Sequence, residues 1–591
     1  MRRPHIRRVA IAVAVTTAAT LQGPAFAAAP DGPARAAASA SSPVAAARAA
    51  AFAHASATGV SQGDTLQAKD VMTDPDGKQH VRFVRTHRGL PVIGGDLVVH
   101  LGERAQYLGV TRAADHVVEP STVEAKLTPQ QAERKAADAA KGEAGSARLV
   151  VDARDGAAAL AYQVLVTDSD TTEAGGSRTV VVDARSGRIR SNTPDSDEFI
   201  SPSLADTLRE RGEHVSPQTG TATGLAGLTS TAAAGRYPAT ATGSGASLFA
   251  GKVALTTTRT ARTSYLLKDP TRWNTETRDA KGQELESFAR GKKFTDGDNK
   301  WGTGTTSSRA TAAVDAQYGI TKTLDFYKKT FGRKGIKNNS AGARGMVHFG
   351  NKVGNAFWDS MCGCMLYGDG DGQWFKKPLV VLDVTGHELT HGVVDATAAL
   401  EPTRVDEDGN QYGEPGALNE SLADIFGSNV EFSANNPKNP PNYLVGEKLG
   451  LDQKFLRRLD HPSLDLLEEA IDYWSPAAYD TEVHAGSGVS SHAYYLLAEG
   501  SGRKTVGSVT YDSPTYDGAP VTGIGRTKAT AIFYRALTRY MVSTTDFHDA
   551  RKATLKAAAD MYGSSSAEYK AVGKAWAAVN VTAANTPAAG H

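Results

Sequence analysis

Residues 383–395 read DVTGHELTHGVVD. His387 and His391 stand four apart, with Glu388 directly after the first, in a chain that has only 15 histidines. On a helix, positions i and i+4 share a face. Both imidazoles then point the same way, about one turn apart, which suits two nitrogen ligands on one zinc ion. Glu388 projects beside such a metal without binding it, where a carboxylate can take a proton from water. The bland reading is a helix with a polar face, so the question becomes whether a third ligand exists.

A hydrolytic zinc site needs a third protein ligand and an open fourth position. The next strongly patterned helix is GALNESLADIFGSNVEF, 416–432. Leu418, Leu422, Ile425, Phe426 and Val430 form its apolar face, while Glu420 and Asp424 lie at i and i+4 on another. Most such acidic pairs are solvated stripes. Glu420, however, follows His391 by 29 residues, enough for a loop and a returning helix. Asp424, one turn on, can hold the free N–H of a ligand histidine.

The chain opens MRRPHIRR, VAIAVAVTTAATL, GPAFAA: a basic head, an apolar run and a small-x-small signal at Ala25-Phe26-Ala27. That predicts a signal peptide over 1–27 and a secreted protein. The run is shorter than the ~20 residues of a spanning helix, and no later segment reaches that length. With 65 Lys+Arg against 64 Asp+Glu, nothing favours nucleic acid or an anionic membrane as partner. The only cysteines are Cys362 and Cys364. Export favours a disulfide, although C-x-C is so short that a loop staple and two free thiols both fit.

At 591 residues the chain holds several units. Residues 28–63 are Ala-rich, without an apolar face, and read as a flexible leader or weak helix. Alternating patterns around Gly/Pro turns, with a capped helix at 127–140, make 64–192 a small α+β unit. Residues 193–243, rich in Ser, Thr, Gly and Pro, read as a linker open to nicking. Strand patterns follow to about residue 300, and helical ones from 308 onward. No fixed-period repeat is present.

HELTH followed by GALNESLADIFG resembles the thermolysin family of secreted zinc metallopeptidases. GNAFWDSMCGCMLYGDGDGQWF (354–375), LRRLDHP (456–462), VHAGSGVSSHAYYLLAEG (483–500) and GIGRTKATAIFYRALT (523–538) resemble family segments in the expected order. The strands with RGLPVIGGD and VVVDARSG look like the family's removable propeptide.

The resemblance implies an α+β fold: a two-lobed catalytic domain behind an α+β propeptide. The β-rich lobe would span 244–395 and the helical lobe 396–591, with the site in the cleft between them. It implies zinc on His387, His391 and Glu420, Glu388 as general base, and Asp424 behind the first histidine. His484 would meet the negative charge of the transition state, with Asp480 as its orienting carboxylate and Tyr412 as a second donor. Asn355 and Ala356 would bind the substrate backbone by strand addition, and Arg457 its carbonyl beyond the cut. Phe375, Val384 and Leu456 would wall a pocket for a bulky apolar residue, giving cuts before Leu, Phe, Ile or Val. Structural calcium is expected on Asp383, Glu431, Asn442 and Glu447, with Asp296 and Asp298 as a weaker second site. YGDGDG lacks the glutamate of an EF-hand loop and reads as structural.

The partners implied are protein and peptide substrates and the chain's own propeptide, acting as an intramolecular inhibitor on a monomer. Linker cleavage would give a mature start near 239–245. A catalytically dead binding protein would usually lose Glu388 or a ligand. An aminopeptidase would need an acidic site for a free amine, which the sequence does not offer. A serine hydrolase would need a G-x-S-x-G elbow, which is absent.

Overall fold

The computed structural model describes residues 42–154, 156–168, 176–210, 237–285 and 287–586. The signal segment 1–27 and residues 211–236 of the expected linker lie outside the described residues.

In the N-terminal α+β unit, strand Gln79–His87 pairs with Asp64–Thr73, Leu90–Ile93 and Leu97–Leu101, the last of which pairs on to Tyr107–Arg112. Leu90–Ile93 joins this half to Arg148–Asp152, Ala159–Asp168, Ser177–Asp183 and Ile189–Pro194. Helix Pro129–Ala140 covers the second half and begins with a reciprocal Thr128–Gln131 capping box. Of the two readings of the Ala-rich leader, the helix holds for part of it, and it is buried. Residues Pro43–Ala53 form a helix whose Ala47 and Ala51 are fully buried in one cluster with Leu66, Val81, Phe83 and Leu97. Alanine is the best helix former and small enough for close approach, so the helix packs without a conventional apolar stripe.

The catalytic part has a β-rich lobe and a helical lobe. One sheet contains Ala239–Ala246, Lys252–Ala261 and Lys300–Trp301; another contains Thr275–Gln283, Arg344–Phe349, Cys364–Tyr367 and Ala356–Asp359. Ala239–Ala246 therefore belongs to the catalytic lobe and not to the linker. The expected linker departs again at 196–210. Ser196–Glu198 adds itself antiparallel to the edge strand Ala356–Asp359, and Pro202–Glu210 is helical, with Leu204 and Leu208 buried.

Helix Leu382–Asp395 is buried at every position from Leu382 to Val394, and helix Glu414–Ala434 packs beside it. A helix hidden on all sides shows no clean stripe. Two glycines set the approach of these helices: a Cβ on Gly386 would lie 2.9 Å from Gly427 Cα, and one on Gly427 would lie 2.8 Å from Asp383 O. This contact carries Glu420 up to the two histidines. The helical lobe is completed by Gly488–Ala498, Arg526–Arg535, Phe547–Tyr562 and Ala567–Ala577. Cys362 and Cys364 form a disulfide in the turn after the edge strand.

Candidate active site

His387, His391 and Glu420 each aim one ligand atom at a common point, all within 4.8 Å of one another. The two Nε2 atoms are 3.0 Å apart, and Glu420 oxygens lie 3.4 Å and 3.6 Å from them. Glu420 Oε2 is buried with no hydrogen-bond partner. Two imidazoles and one carboxylate converging in a buried site are a donor set suited to zinc. The remaining ring nitrogens are held from behind: His387 Nδ1 on Asp424 at 2.7 Å, and His391 Nδ1 on the Asn419 side-chain oxygen at 3.0 Å. Those partners fix each ring so that Nε2 faces the site. Asn419 was not anticipated; its one signal is its place immediately before Glu420.

Glu388 is fully buried, and both its oxygens lack a partner. Burial, then the charges of Glu420 and Asp197, push its carboxyl well above the ordinary glutamate value. A cation among these groups offsets that repulsion. Burial would also raise Asp424, but Arg457 and the bond to His387 overcome it and hold it at about 2.

The cleft holds the chain's own residues 196–201. Ser196, Asp197 and Glu198 register with Asp359, Trp358 and Phe357. Phe199 N donates to Ala356 O at 3.1 Å. The Asn355 side-chain oxygen accepts from Ile200 N at 3.2 Å, and its amide donates to Ile200 O at 3.3 Å. Arg457 Nη1 donates to Phe199 O and to Glu468, each at 2.9 Å, while Nε and Nη2 grip Asp424. His484 Nε2 donates to Glu198 O at 2.8 Å and lies 3.6 Å from Glu420. Asn355, Ala356 and Arg457, read from sequence as backbone binders, and His484, read as the donor to developing charge, thus meet on one segment.

The Phe199 ring is fully buried, edge-on to His387 at 5.3 Å and under the Arg457 guanidinium at 5.1 Å. Gly446 adopts φ +73°, and a Cβ there would lie 3.2 Å from Leu456 Cβ and 3.5 Å from Phe199 Cζ. Glycine therefore serves both the turn and the room for the ring. Phe375 and Val384 are buried in the same large apolar core, which alone does not set them against Phe199.

Two expectations need correction. Asp480 is 71 % exposed and pairs with Arg404 at 2.9 Å. Glu482 holds His484 instead, its carboxylate 3.0 Å and 3.1 Å from Nδ1. The physical reason is local: Glu482 caps the short helix Val483–Gly486, accepting from His484 N, so its carboxylate already lies beside the ring. Burial would lower His484, but Glu482 and Glu420 raise it well above its ordinary value. Tyr412 donates its hydroxyl to Asp406 at 2.8 Å within its own hairpin, and its backbone bridges to Glu482. Its place is therefore behind His484 and not on the bound strand.

A second group of buried acids draws Asp383 from helix Leu382–Asp395 and Glu431 from helix Glu414–Ala434. Asp383 Oδ1, Glu431 Oε2, Glu447 Oε2 and Asn439 Oδ1 are all buried without partners. Burial raises all three acids; Asp424 adds to it at Asp383, Glu447 and Asp383 at Glu431, and Asp383 at Glu447, which reaches about 8. Asn442, the expected amide ligand, accepts from Leu444 N at 2.6 Å and donates to Glu447 at 2.9 Å. Asn439 is thus the amide whose oxygen remains available, and sequence spacing gave no sign of it. Asp296, by contrast, is a turn cap, accepting from the backbone of Asp298, Asn299 and Lys300, while Asp298 pairs with Lys300. Asp369 holds His348 and Asp371 caps its own loop, so YGDGDG is structural as expected.

Fold and site together define a metallopeptidase with a His-His-Glu centre and a strand-binding edge. Residues 242–395 match the thermolysin metallopeptidase catalytic domain, 410–581 its alpha-helical domain, and 64–114 the fungalysin/thermolysin propeptide motif. The chain is 33 % identical over 542 residues to the thermostable neutral protease NprT of Geobacillus stearothermophilus, covering 88 % of this chain and 86 % of that one. It is 34 % identical over 530 residues to a thermolysin of Alicyclobacillus acidocaldarius, covering 86 % and 84 %. A transglutaminase-activating metalloprotease of Streptomyces mobaraensis is 38 % identical over 532 residues; the match covers 88 % of this chain but 62 % of that relative's length. The chain belongs to the thermolysin family of metallopeptidases, with the family's propeptide motif ahead of the catalytic domains.

Proposed function

We propose that the chain is the precursor of a secreted zinc endopeptidase that cuts proteins before Leu, Phe, Ile or Val and is blocked by its own propeptide until processed. One observation carries this reading: the segment 196–201 lies along the edge strand with Phe199 beside His387 and the Glu198 carbonyl on His484. His387, His391 and Glu420 would hold zinc, which supplies Lewis-acid polarisation of the scissile carbonyl and acidifies water. Glu388 takes the water's proton and carries it to the leaving nitrogen. His484, oriented by Glu482, donates to the oxygen that gains charge. Arg457, Asn355 and Ala356 O fix the backbone on either side, so the bond presented to Glu388 is set by register. Leu456 and Gly446 shape the pocket for the apolar residue.

The reading is tested by digesting a mixed peptide library with the purified protein, its propeptide removed, with and without a zinc chelator. Chelator-sensitive internal cuts before Leu, Phe, Ile or Val are expected. Absence of any cut by a chain whose propeptide is demonstrably gone would favour a binding protein instead.

Calcium would sit on Asp383, Glu431, Glu447 and the side-chain oxygen of Asn439. It would neutralise three buried acids that otherwise repel one another. At a hundredfold excess over its Kd a single ion adds about 2.7 kcal/mol. We expect calcium to raise the melting temperature of the chain and Glu431→Gln to abolish most of that rise. An unchanged Tm on adding or chelating calcium would remove the site.

A further inference from the structure

Glu414, Asp546 and His548 make a second convergence of ligand groups, in the helical lobe and sharing no residue with the His387–His391–Glu420 centre. Each offers one ligand atom, and these atoms all lie within 4.8 Å of one another. Glu414 is the first residue of helix Glu414–Ala434, which carries Glu420. Asp546 caps helix Phe547–Tyr562, and His548 lies in its first turn. Phe547 N donates to Glu414 Oε2 at 2.9 Å and Trp474 Nε1 to Oε1 at 2.8 Å, so the carboxylate is held between the two helix starts. Asp546 Oδ1 accepts from Asp549 N at 2.7 Å. A carboxylate oxygen with one such donor keeps a second lone pair. Burial, then Asp549 and Glu414, raise Asp546 to about 6, and burial raises Glu414.

The protonation of His548 is fixed from outside the cluster. Asn585 Nδ2 donates to Asn580 O at 2.7 Å, and Asn585 Oδ1 accepts from Thr582 N at 2.9 Å, which sets the orientation of that amide. His548 Nε2 lies 2.9 Å from the same Oδ1 and therefore bears the proton. Nδ1 is left with a bare lone pair. His548 is only 4 % exposed, and Nδ1 is buried without a hydrogen-bond partner. A buried acceptor with no donor costs stability, and few native groups are left so. The ionised carboxylates nearby cannot supply the missing hydrogen, because they too only accept. Ligand atoms on one zinc ion, at bonds of about 2.0–2.2 Å, stand roughly 3–4 Å apart. A gap of that size is too wide for a direct hydrogen bond and right for an ion.

We propose that Glu414, Asp546 and His548 Nδ1 bind a second, structural zinc ion, which ties the start of the Glu420 helix to the start of helix Phe547–Tyr562. The nitrogen ligand disfavours calcium, a hard cation that takes oxygens. One imidazole and two carboxylates suit zinc or a neighbouring first-row divalent ion. Asn585 stands on the far ring nitrogen, where a ligand histidine ordinarily has its supporting partner. Both helix starts carry partial positive charge, which the two carboxylates outweigh. The site is independent of the endopeptidase reading, since it uses none of the residues that reading needs.

The test uses the full chain carrying His391→Ala, which removes a ligand of the first centre. This chain is titrated with zinc against a chromophoric chelator at neutral pH, with calcium in millimolar excess to occupy the acidic cluster at Asp383. One zinc per chain should bind, with a Kd of about 1 µM or tighter. Adding His548→Ala or Asp546→Asn should weaken it at least about thirtyfold. Asn585→Ala should weaken it about tenfold, within the roughly 10–100-fold that loss of a supporting partner costs. Zinc should raise the Tm of the His391→Ala chain by at least about 2 °C, and not that of the chain also carrying His548→Ala. No bound zinc, or zinc held equally well after His548→Ala and Asp546→Asn, overturns the site. Where a variant fails to fold, crystals of the His391→Ala chain grown with equimolar zinc decide by anomalous scattering at the zinc edge. A peak between Glu414, Asp546 and His548 upholds the site, and its absence overturns it.

Discussion

Exchange of Glu388 for glutamine is expected to lower kcat/KM on an apolar peptide about 10³-fold, within the roughly 10²–10⁴ that a positioned acid–base group contributes. The amide keeps the shape of the side chain but cannot take a proton. It should not cost folding stability. Glu388 is fully buried with neither oxygen partnered, and burial together with Glu420 and Asp197 disfavours its ionised form. A neutral amide removes that repulsion, so the Tm of the variant should match or exceed the parent's. Zinc content, read by atomic absorption, should be unchanged, because the three ligands and their supports Asp424 and Asn419 are untouched. Steady-state kinetics on chain freed of its propeptide, with Tm and zinc measured alongside, checks all three. A loss of less than tenfold would mean that Glu388 is not the base. A loss accompanied by missing zinc would mean that it acts through the metal site's integrity.

The parts of this site that sequence spacing reached share one property: their geometry is fixed within a helix or by a contiguous motif. His387, Glu388 and His391 are placed by helical periodicity, and Glu420 and Asp424 by the same rule on the facing helix. His484, Arg457 and Asn355 came with motifs whose neighbours are themselves structural. What escaped was set by tertiary approach. The expected orienting carboxylate at Asp480 gave way to Glu482, because a two-residue difference in a capping turn decides which acid faces the ring. Asn419 and Asn439 carry no periodic mark, since an amide is recognised only by what its oxygen faces. The segment 196–201 read as linker because a three-residue strand shows no alternation. Its partner, Ala356–Asp359, lies far along the chain, and the pairing depends on an edge that the catalytic sheet leaves open. The burial of the alanine helix Pro43–Ala53 carries no mark for a different reason: its buried face is built largely from the same residue as its exposed face.

Asp74→Asn is expected to weaken retention of the propeptide by about 10²–10³-fold, the equivalent of the roughly 3–5 kcal/mol lost when one partner of a buried ion pair is removed. Asp74 sits on the propeptide and is almost fully buried. It accepts from Arg535 and, at 3.2 Å and 3.3 Å, from Arg539, both in the helical lobe, and it lies 3.0 Å from His80 Nε2. Burial would raise Asp74, but His80, Arg535 and Arg539 hold it well below the ordinary carboxylate value. Behind it, His80 Nδ1 and His100 Nδ1 are 2.8 Å apart, so one must donate and the other accept, and the two rings cannot both be protonated in place. The groups facing them are Asp74, Arg82, Thr111, Arg535, Arg539, Tyr540, Lys556 and Asp560. Burial lowers His80 against the pull of Asp74, and burial and Lys556 lower His100 well below its ordinary value. Release exposes these histidines to water and takes away Lys556, Arg535 and Arg539, so the free propeptide binds a proton more readily than the docked one. Docking is therefore full at neutral pH and weakens as pH falls through the ordinary histidine range, by up to about 1.4 kcal/mol per unit for each proton gained on release. Depression of Asp74 acts in the same direction, its contribution being lost only at still lower pH. Dissociation of the propeptide from chain cut in 211–236, followed by size-exclusion chromatography, should be faster at pH 5 than at pH 7. His80→Gln with His100→Gln should flatten that difference, whereas Asp74→Asn should raise the rate at both. Equal rates at the two pH values in the parent would show that the histidine pair does not govern release.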